Sequence, residues 1–177
     1  MVAIIVDGEF MENNIVKELG IFHNGESIGL SLLPPHDYKQ LTERERQQNM
    51  WLTRNYHYIT WNEGKHSYKS LPKLLDIHGT FDADAISRLV LYDGEECSEG
   101  PVNEYFSKGL TKCKVFEDIF KVPFTNLEEF GCPNYRQLAK KDDKCSNFPF
   151  RHQHTVHCAE KKARAYGLWT EKYFSSL

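Results

Sequence analysis

Long apolar runs are missing from these 177 residues. No stretch approaches the length needed to cross a bilayer, which excludes a helical membrane span and argues against a membrane partner. The opening Met1-Val-Ala-Ile-Ile-Val-Asp-Gly-Glu has no basic residue, and its apolar run is too short for a signal peptide. Charge of one sign is also lacking. The formal net charge is −3, so any case for nucleic acid has to rest on local patches. Cysteine is scarce and odd in number: five residues, with Cys97, Cys113 and Cys132 scattered. That excludes a disulfide framework and predicts reduced thiols in an intracellular compartment, cytoplasmic or nuclear. No CxxC pair occurs, so a standard zinc finger is excluded. Internal repeats, low-complexity segments and linkers are absent too, and the chain reads as one domain over residues 1–177.

What the chain does have is a concentration of ligand-type side chains near its end. Cys145-Ser-Asn-Phe-Pro-Phe-Arg-His152-Gln-His154-Thr-Val-His157-Cys158 holds two of the five cysteines and three of the eight histidines. Thiolate and imidazole suit tetrahedral Zn²⁺, and a loop closing onto a helix start can gather distant ligands. The bland reading is a surface loop with solvated histidines and one buried cysteine.

Taken in order, Val2 to Val6 is β-branched and apolar, a strand buried on both faces. Asp7 and Glu9 leave it two apart and therefore on one side. Glu18–Phe22 and Ser27–Leu33 flank His23-Asn24-Gly25-Glu26, a hairpin signal, so the first third predicts a three-stranded antiparallel meander stopped by Pro34-Pro35. Thr42-Glu-Arg-Glu45 is a capping box that opens a helix to about Arg54. A short helix is expected over Leu71–Ile77, a strand over Ala85–Tyr92, a helix from Pro101 to Lys108 closed by Gly109, and a strand over Lys114–Asp118. Tyr135–Lys141 reads as helical. The final helix is expected over Ala159–Phe174, with Ala159, Ala163, Tyr166, Trp169 and Tyr173 turned inward. The fold class is α/β, a mixed sheet flanked by helices, in an order that the ribonuclease-H-like fold shares.

At Val6-Asp7-Gly8-Glu9-Phe10 the chain resembles the start of a DEDDh-type 3′–5′ exonuclease domain. Trp51-Leu-Thr-Arg-Asn-Tyr-His57-Tyr-Ile-Thr-Trp61-Asn-Glu-Gly, Leu127-Glu-Glu-Phe-Gly-Cys132-Pro and the Cys145…Cys158 loop extend the likeness. Together they resemble exonuclease-derived domains of arthropod, viral and mobile-element reading frames, a group similar to the Maelstrom domain. That resemblance implies a zinc held by Glu, Cys, His and Cys. Carried onto this chain, it points to Cys145 and Cys158, to a histidine left open among His152, His154 and His157, and to an upstream fourth ligand. His57 is the first choice there, with Cys132 or Glu43/Glu45 behind it; His57 reads equally as a core histidine bonded to backbone.

An active exonuclease would use Mg²⁺ or Mn²⁺ between converging carboxylates. The candidates are Asp7 and Glu9 with Asp93 or Glu96, and His154 or a neighbouring histidine as base. The sequence departs from that pattern, because no aspartate follows Asp143. Lys140, Lys141, Lys144, Arg151, Lys161, Lys162 and Arg164 bracket the Cys/His loop, with Phe148 and Phe150 between them. On one face they would form a salt-sensitive groove for single-stranded nucleic acid, RNA in the first place. The expectation is a zinc-stabilised nucleic-acid-binding domain with a degenerate nuclease centre. An active 3′–5′ exonuclease and a protein-interaction module on a decayed scaffold are the alternatives.

Overall fold

A computed structural model describes residues 2–77, 103–141 and 143–177. Its centre is β1, Val2–Met11. Successive residues of this strand feed opposite faces of the sheet, as the period of two requires. Ile4 and Val6 join a core with Leu19, Ile21, Leu30, Leu71 and Phe116. Ile5 joins a second core with Phe22, Phe106, Ala163 and Tyr166. Apolar residues in unbroken succession are therefore what this position needs.

β2 (Ile15–His23) runs antiparallel to β1, and β3 (Glu26–Ser31) antiparallel to β2. Asn24 and Gly25 make the turn between them with φ of 56° and 83°. Two consecutive positive φ angles are what a two-residue hairpin loop demands, and Asn-Gly supplies them at low cost. The register sets Glu9 opposite Glu18 and Asp7 opposite Gly20. β4 (Asn103–Ser107) lies parallel to β1, and β5 (Phe124–Asn126) parallel to β4. Among the described residues the sheet order is β3-β2-β1-β4-β5, a five-stranded mixed sheet.

Among the described residues the α-helices are α1 (Glu43–Asn55), the single turn α2 (Leu74–Ile77), α3 (Leu110–Phe120), α4 (Tyr135–Leu138) and α5 (Ala159–Ser175). The capping box at α1 forms as expected: Glu45 N–H donates to Thr42 Oγ1, and Thr42 N–H to the Glu45 carboxylate. α5 lies across β1, β2 and β3 and buries Ala159, Ala163 and Tyr166, while α3 packs Phe116 and Phe120 on the other face.

Two expectations fail between residues 103 and 120. The helix to Lys108 is instead strand β4, and Lys114–Asp118 lies inside α3 rather than in a strand. Cys113, Phe116 and Phe120 are buried at helical spacing, so Gly109 precedes a helix instead of closing one. β5 was not foreseen, and the helix over Tyr135–Lys141 shortens to α4. The strand expected over Ala85–Tyr92, with Asp93 and Glu96, lies outside the described residues.

Lys17 ties the long connections to the sheet. It is fully buried, and its ammonium donates to the carbonyls of Leu32 (2.7 Å), Trp61 (2.8 Å) and Glu63 (2.6 Å). Burial pulls its pKa down to about 8 against the attraction of Glu63. Replacing it leaves three carbonyls without that donor, while the cost of burying the ammonium disappears. We expect Lys17→Met to lose about 2 kcal/mol in urea unfolding. An unchanged unfolding midpoint would show that the three carbonyls find other donors.

Candidate metal centre

Glu18, Cys145, His152 and Cys158 converge from three places in the chain. Glu18 comes from the middle of β2, Cys158 is the residue that caps α5, and Cys145 and His152 lie in the irregular segment before it. That segment is held by side chains rather than by regular structure. The buried Lys161 ammonium donates to the carbonyls of His152 and Thr155, and His152 N–H donates to Phe148 O at 2.9 Å. Ile59 and Phe148 close an apolar shell around the two cysteines.

The four side chains are buried, and one ligand atom from each lies within 4.8 Å of all the others. Glu18 Oε2 is 3.4 Å from Cys145 Sγ and 3.7 Å from His152 Nδ1. The edges of a zinc tetrahedron with S, N and O ligands are roughly 3.3–3.8 Å, so these atoms are spaced to hold a metal such as zinc. The imidazole is oriented for the task. Its Nε2 lies 2.6 Å from the carbonyl of His57, so the proton is on Nε2 and the Nδ1 lone pair faces the cluster. Nδ1 is buried with no hydrogen-bond partner, and at 3.7 Å its approach to Glu18 is too long for one. The other carboxylate oxygen of Glu18 accepts from Ala159 N–H at 2.6 Å, at the start of α5.

The electrostatics describe donors competing for protons. Burial drives the Glu18 carboxyl well above its usual range, and burial likewise raises the Cys158 thiol. Cys145 falls to about 4, first because the Cys158 thiol donates to it and then through His152 and the Phe148 amide, against burial. A divalent cation would favour both thiolates and the carboxylate at once, so metal uptake should release protons.

His57, expected as the upstream ligand, has another job. Its Nε2 donates to Phe10 O (3.2 Å), and its Nδ1 accepts from Ile59 N–H (3.1 Å). Burial lowers its pKa to about 4. With both ring nitrogens on backbone it stands outside the four, and its own carbonyl orients His152. His154 is exposed and also outside them; His157 stacks on Tyr56 with centroids 3.4 Å apart. Cys132 packs in the core around Phe106, and Glu45 caps α1 while the neighbouring Glu43 is exposed. Glu18 was missed. Next to Lys17 it looks like one half of a solvated charge pair. The signal was its setting: a strand apolar at Val16, Leu19, Ile21 and Phe22 leaves an acid nowhere to go but inward.

The second set of acids is arranged differently. Asp7 and Glu9 are buried side by side on the β1 face toward α5, and each carries its own lysine. Lys112 Nζ is 2.7 Å from Asp7 Oδ1, and Lys162 Nζ is 3.0 Å from Glu9 Oε1. Burial raises the Glu9 pKa, opposed by Lys162 and Lys112. Among the described residues only the Glu18 group gathers three or more potential metal ligands. Mg²⁺ or Mn²⁺ binding between Asp7 and Glu9 would have to displace both ammonium groups; Asp93 and Glu96, the other acids named for such a centre, lie outside the described residues.

The basic residues divide in the same way. Lys161 is buried on carbonyls, Lys162 is paired with Glu9, and Arg151 is bound to Glu63 and lies over the Phe148 ring. Arg164 donates to Asp143, Glu160 and the Lys144 carbonyl. Lys140, Lys141 and Lys144 are exposed, as is Arg151 beside its carboxylate partner. Phe148 is buried, whereas Phe150 is 87% exposed. Among the described residues no helix is long and apolar enough to cross a membrane. Comparison with known family models, curated proteins and solved structures gives no match.

Proposed function

We propose that the chain is a zinc-stabilised domain of ribonuclease-H-like, Maelstrom-like type. It binds single-stranded nucleic acid, RNA in the first place, and carries a degenerate nuclease centre. The observation behind this reading is the buried Glu18–Cys145–His152–Cys158 group, whose donors are the Glu, Cys, His and Cys that the resemblance implies. Four protein ligands leave zinc no open coordination position, so its role is structural. The strand arrangement supports the fold assignment: an antiparallel start, β3-β2-β1, followed by β4 and β5 parallel to β1. The lysines on Asp7 and Glu9 speak against metal-dependent cleavage there.

For nucleic acid, support comes from Lys140, Lys141 and Lys144, exposed in the segment leading to the metal centre, and from the exposed ring of Phe150. Lysines neutralise phosphates, and an exposed ring offers a stacking surface to an unpaired base. Zinc-loaded protein is expected to bind a fluorescent single-stranded oligoribonucleotide with an affinity that falls as salt rises. Changing the three lysines to glutamate should weaken binding and reduce the salt slope by about 2, given ~0.7 per phosphate contact on a single strand. No binding at low salt would remove the nucleic-acid part of the reading. A protein-interaction module would then be favoured, for which Phe150 and the 56% exposed Trp51 are two of several exposed apolar side chains.

A further inference from the structure

The pairing of Asp7 and Glu9 with Lys112 and Lys162 calls for its own explanation. Asp7 is fully buried and Glu9 nearly so, yet the two are neighbours on one face of β1. Their place is just beyond Ile5, where the described pairing of β1 with β4 stops. Two adjacent buried carboxylates repel, and each would take a proton unless cations stand beside them. The cations here come from the protein. Lys112 is the third residue of α3 and Lys162 the fourth of α5, so both sit in the first turn of a helix.

A helix start carries the positive end of the macrodipole and disfavours lysine. Two lysines in that position, on two helices from opposite faces of the sheet, are not explained by helix preference. They are explained by the acid pair on which both converge. Lys162 is the more buried of the two, with 13% of its side chain exposed against 26% for Lys112. Its ammonium is held more firmly than usual: burial works against it, and Glu9 followed by Asp7 more than offset that. One acceptor is left over, because Asp7 Oδ2 is buried with no hydrogen-bond partner. The arrangement is two carboxylates matched by two ammonium groups, with one oxygen unspent.

We propose that Asp7 and Glu9 form a divalent-cation site that the chain's own lysines close, with the ammonium groups of Lys112 and Lys162 standing where a metal ion would bind. Each carboxyl group already has an ammonium group beside it. A dication can enter only by expelling lysines whose anchoring helices pack on the sheet. Removing the lysines leaves two buried carboxylates in need of charge, and a hard cation with oxygen ligands then becomes the natural occupant. The inference rests on reading this acid centre as a degenerate one, but its test does not pass through nucleic acid.

The probe is Mn²⁺ alone, followed by electron paramagnetic resonance on zinc-loaded protein. Wild type is expected to bind no Mn²⁺ at millimolar concentration. The Lys112→Met/Lys162→Met variant should bind one equivalent at least tenfold more tightly, about 1.4 kcal/mol or more. Adding Asp7→Asn to that variant should abolish the binding. Wild type that takes up one Mn²⁺ lost in Asp7→Asn would overturn the proposal, as would a folded double variant that binds none. Should the double variant not fold, ¹⁵N spectra of the lysine side chains of wild type decide. Protected ammonium signals assigned to Lys112 and Lys162, and distinguished from those of the buried Lys17 and Lys161, support closure if they persist in millimolar Mg²⁺, and their loss refutes it. Wild type that binds neither RNA nor Mn²⁺ would remove the nucleic-acid part of the proposed function and leave this inference standing.

Discussion

Stripping the metal from zinc-loaded protein with a strong chelator is expected to lower the thermal midpoint by about 8–16 °C. Zinc present at a thousandfold over its dissociation constant stabilises the folded state by about 4 kcal/mol, and each kcal/mol is worth about 2–4 °C in a chain of this size. The geometry makes this large. The ligands join β2 to the cap of α5 and to the segment from Cys145 to His152, so their release frees elements distant in sequence. It also leaves a carboxyl, two thiols and an imidazole buried in the apolar shell of Ile59 and Phe148. Elemental analysis of protein purified without chelators should give one zinc per chain. Cys158→Ser and Glu18→Gln should lose the zinc together with the stability. His154→Ala should keep both, because His154 is exposed and outside the group. A chelator that leaves the midpoint where it was would remove zinc as a stabilising group, and a Glu18→Gln protein that holds zinc as tightly as wild type would remove Glu18 from the site.

Which parts of this could be read from the sequence follows from where the information sits. Local rules carried the hairpin at Asn24-Gly25, the capping box at Thr42 and the final helix, because short-range geometry fixes each of them. Cys145 and Cys158 were legible for a related reason: the chemistry of their side chains marks them whatever the fold. The choice among His152, His154 and His157 was not legible, since it depends on which ring the carbonyl of His57 can reach. Glu18 was hidden more deeply. It joins the group with Cys145, His152 and Cys158 only because β2 is an inner strand whose face toward α5 is covered. An acid beside a lysine looks solvated until the sheet order is known. The same holds for Lys161, Lys162, Arg151 and Arg164, which together read as a basic surface. Each instead meets a partner far away in sequence or across a loop, and those partners are tertiary facts.

Gly20→Ala is expected to cost at least about 3 kcal/mol, the upper end of what overpacking usually exacts, and to weaken zinc binding at the same time. A β-carbon at Gly20 would run into the carbonyl of Ala159 and the backbone nitrogen of Glu160, which are main-chain atoms of the first turn of α5. Main chain in a helix cannot turn aside as a side chain does, so α5 would have to lift from β2. Cys158 caps that helix, and Glu18, two residues before Gly20, accepts from Ala159 N–H. Any lift therefore pulls a thiol ligand away from the carboxylate ligand. Gly29 makes the contrast. There an added carbon meets side-chain atoms of Asn147 and Glu160 rather than main chain, so Gly29→Ala should cost less and leave zinc affinity closer to wild type. Urea unfolding of the zinc-loaded variants, with zinc affinity measured by competition against a chromophoric chelator, separates the two. Equal losses at both positions would mean that helix and strand are not in backbone contact. A Gly20→Ala protein with reduced stability but unaltered zinc affinity would mean that the start of α5 moves without carrying Cys158, and that the metal centre is less dependent on the helix than its hydrogen bonds indicate.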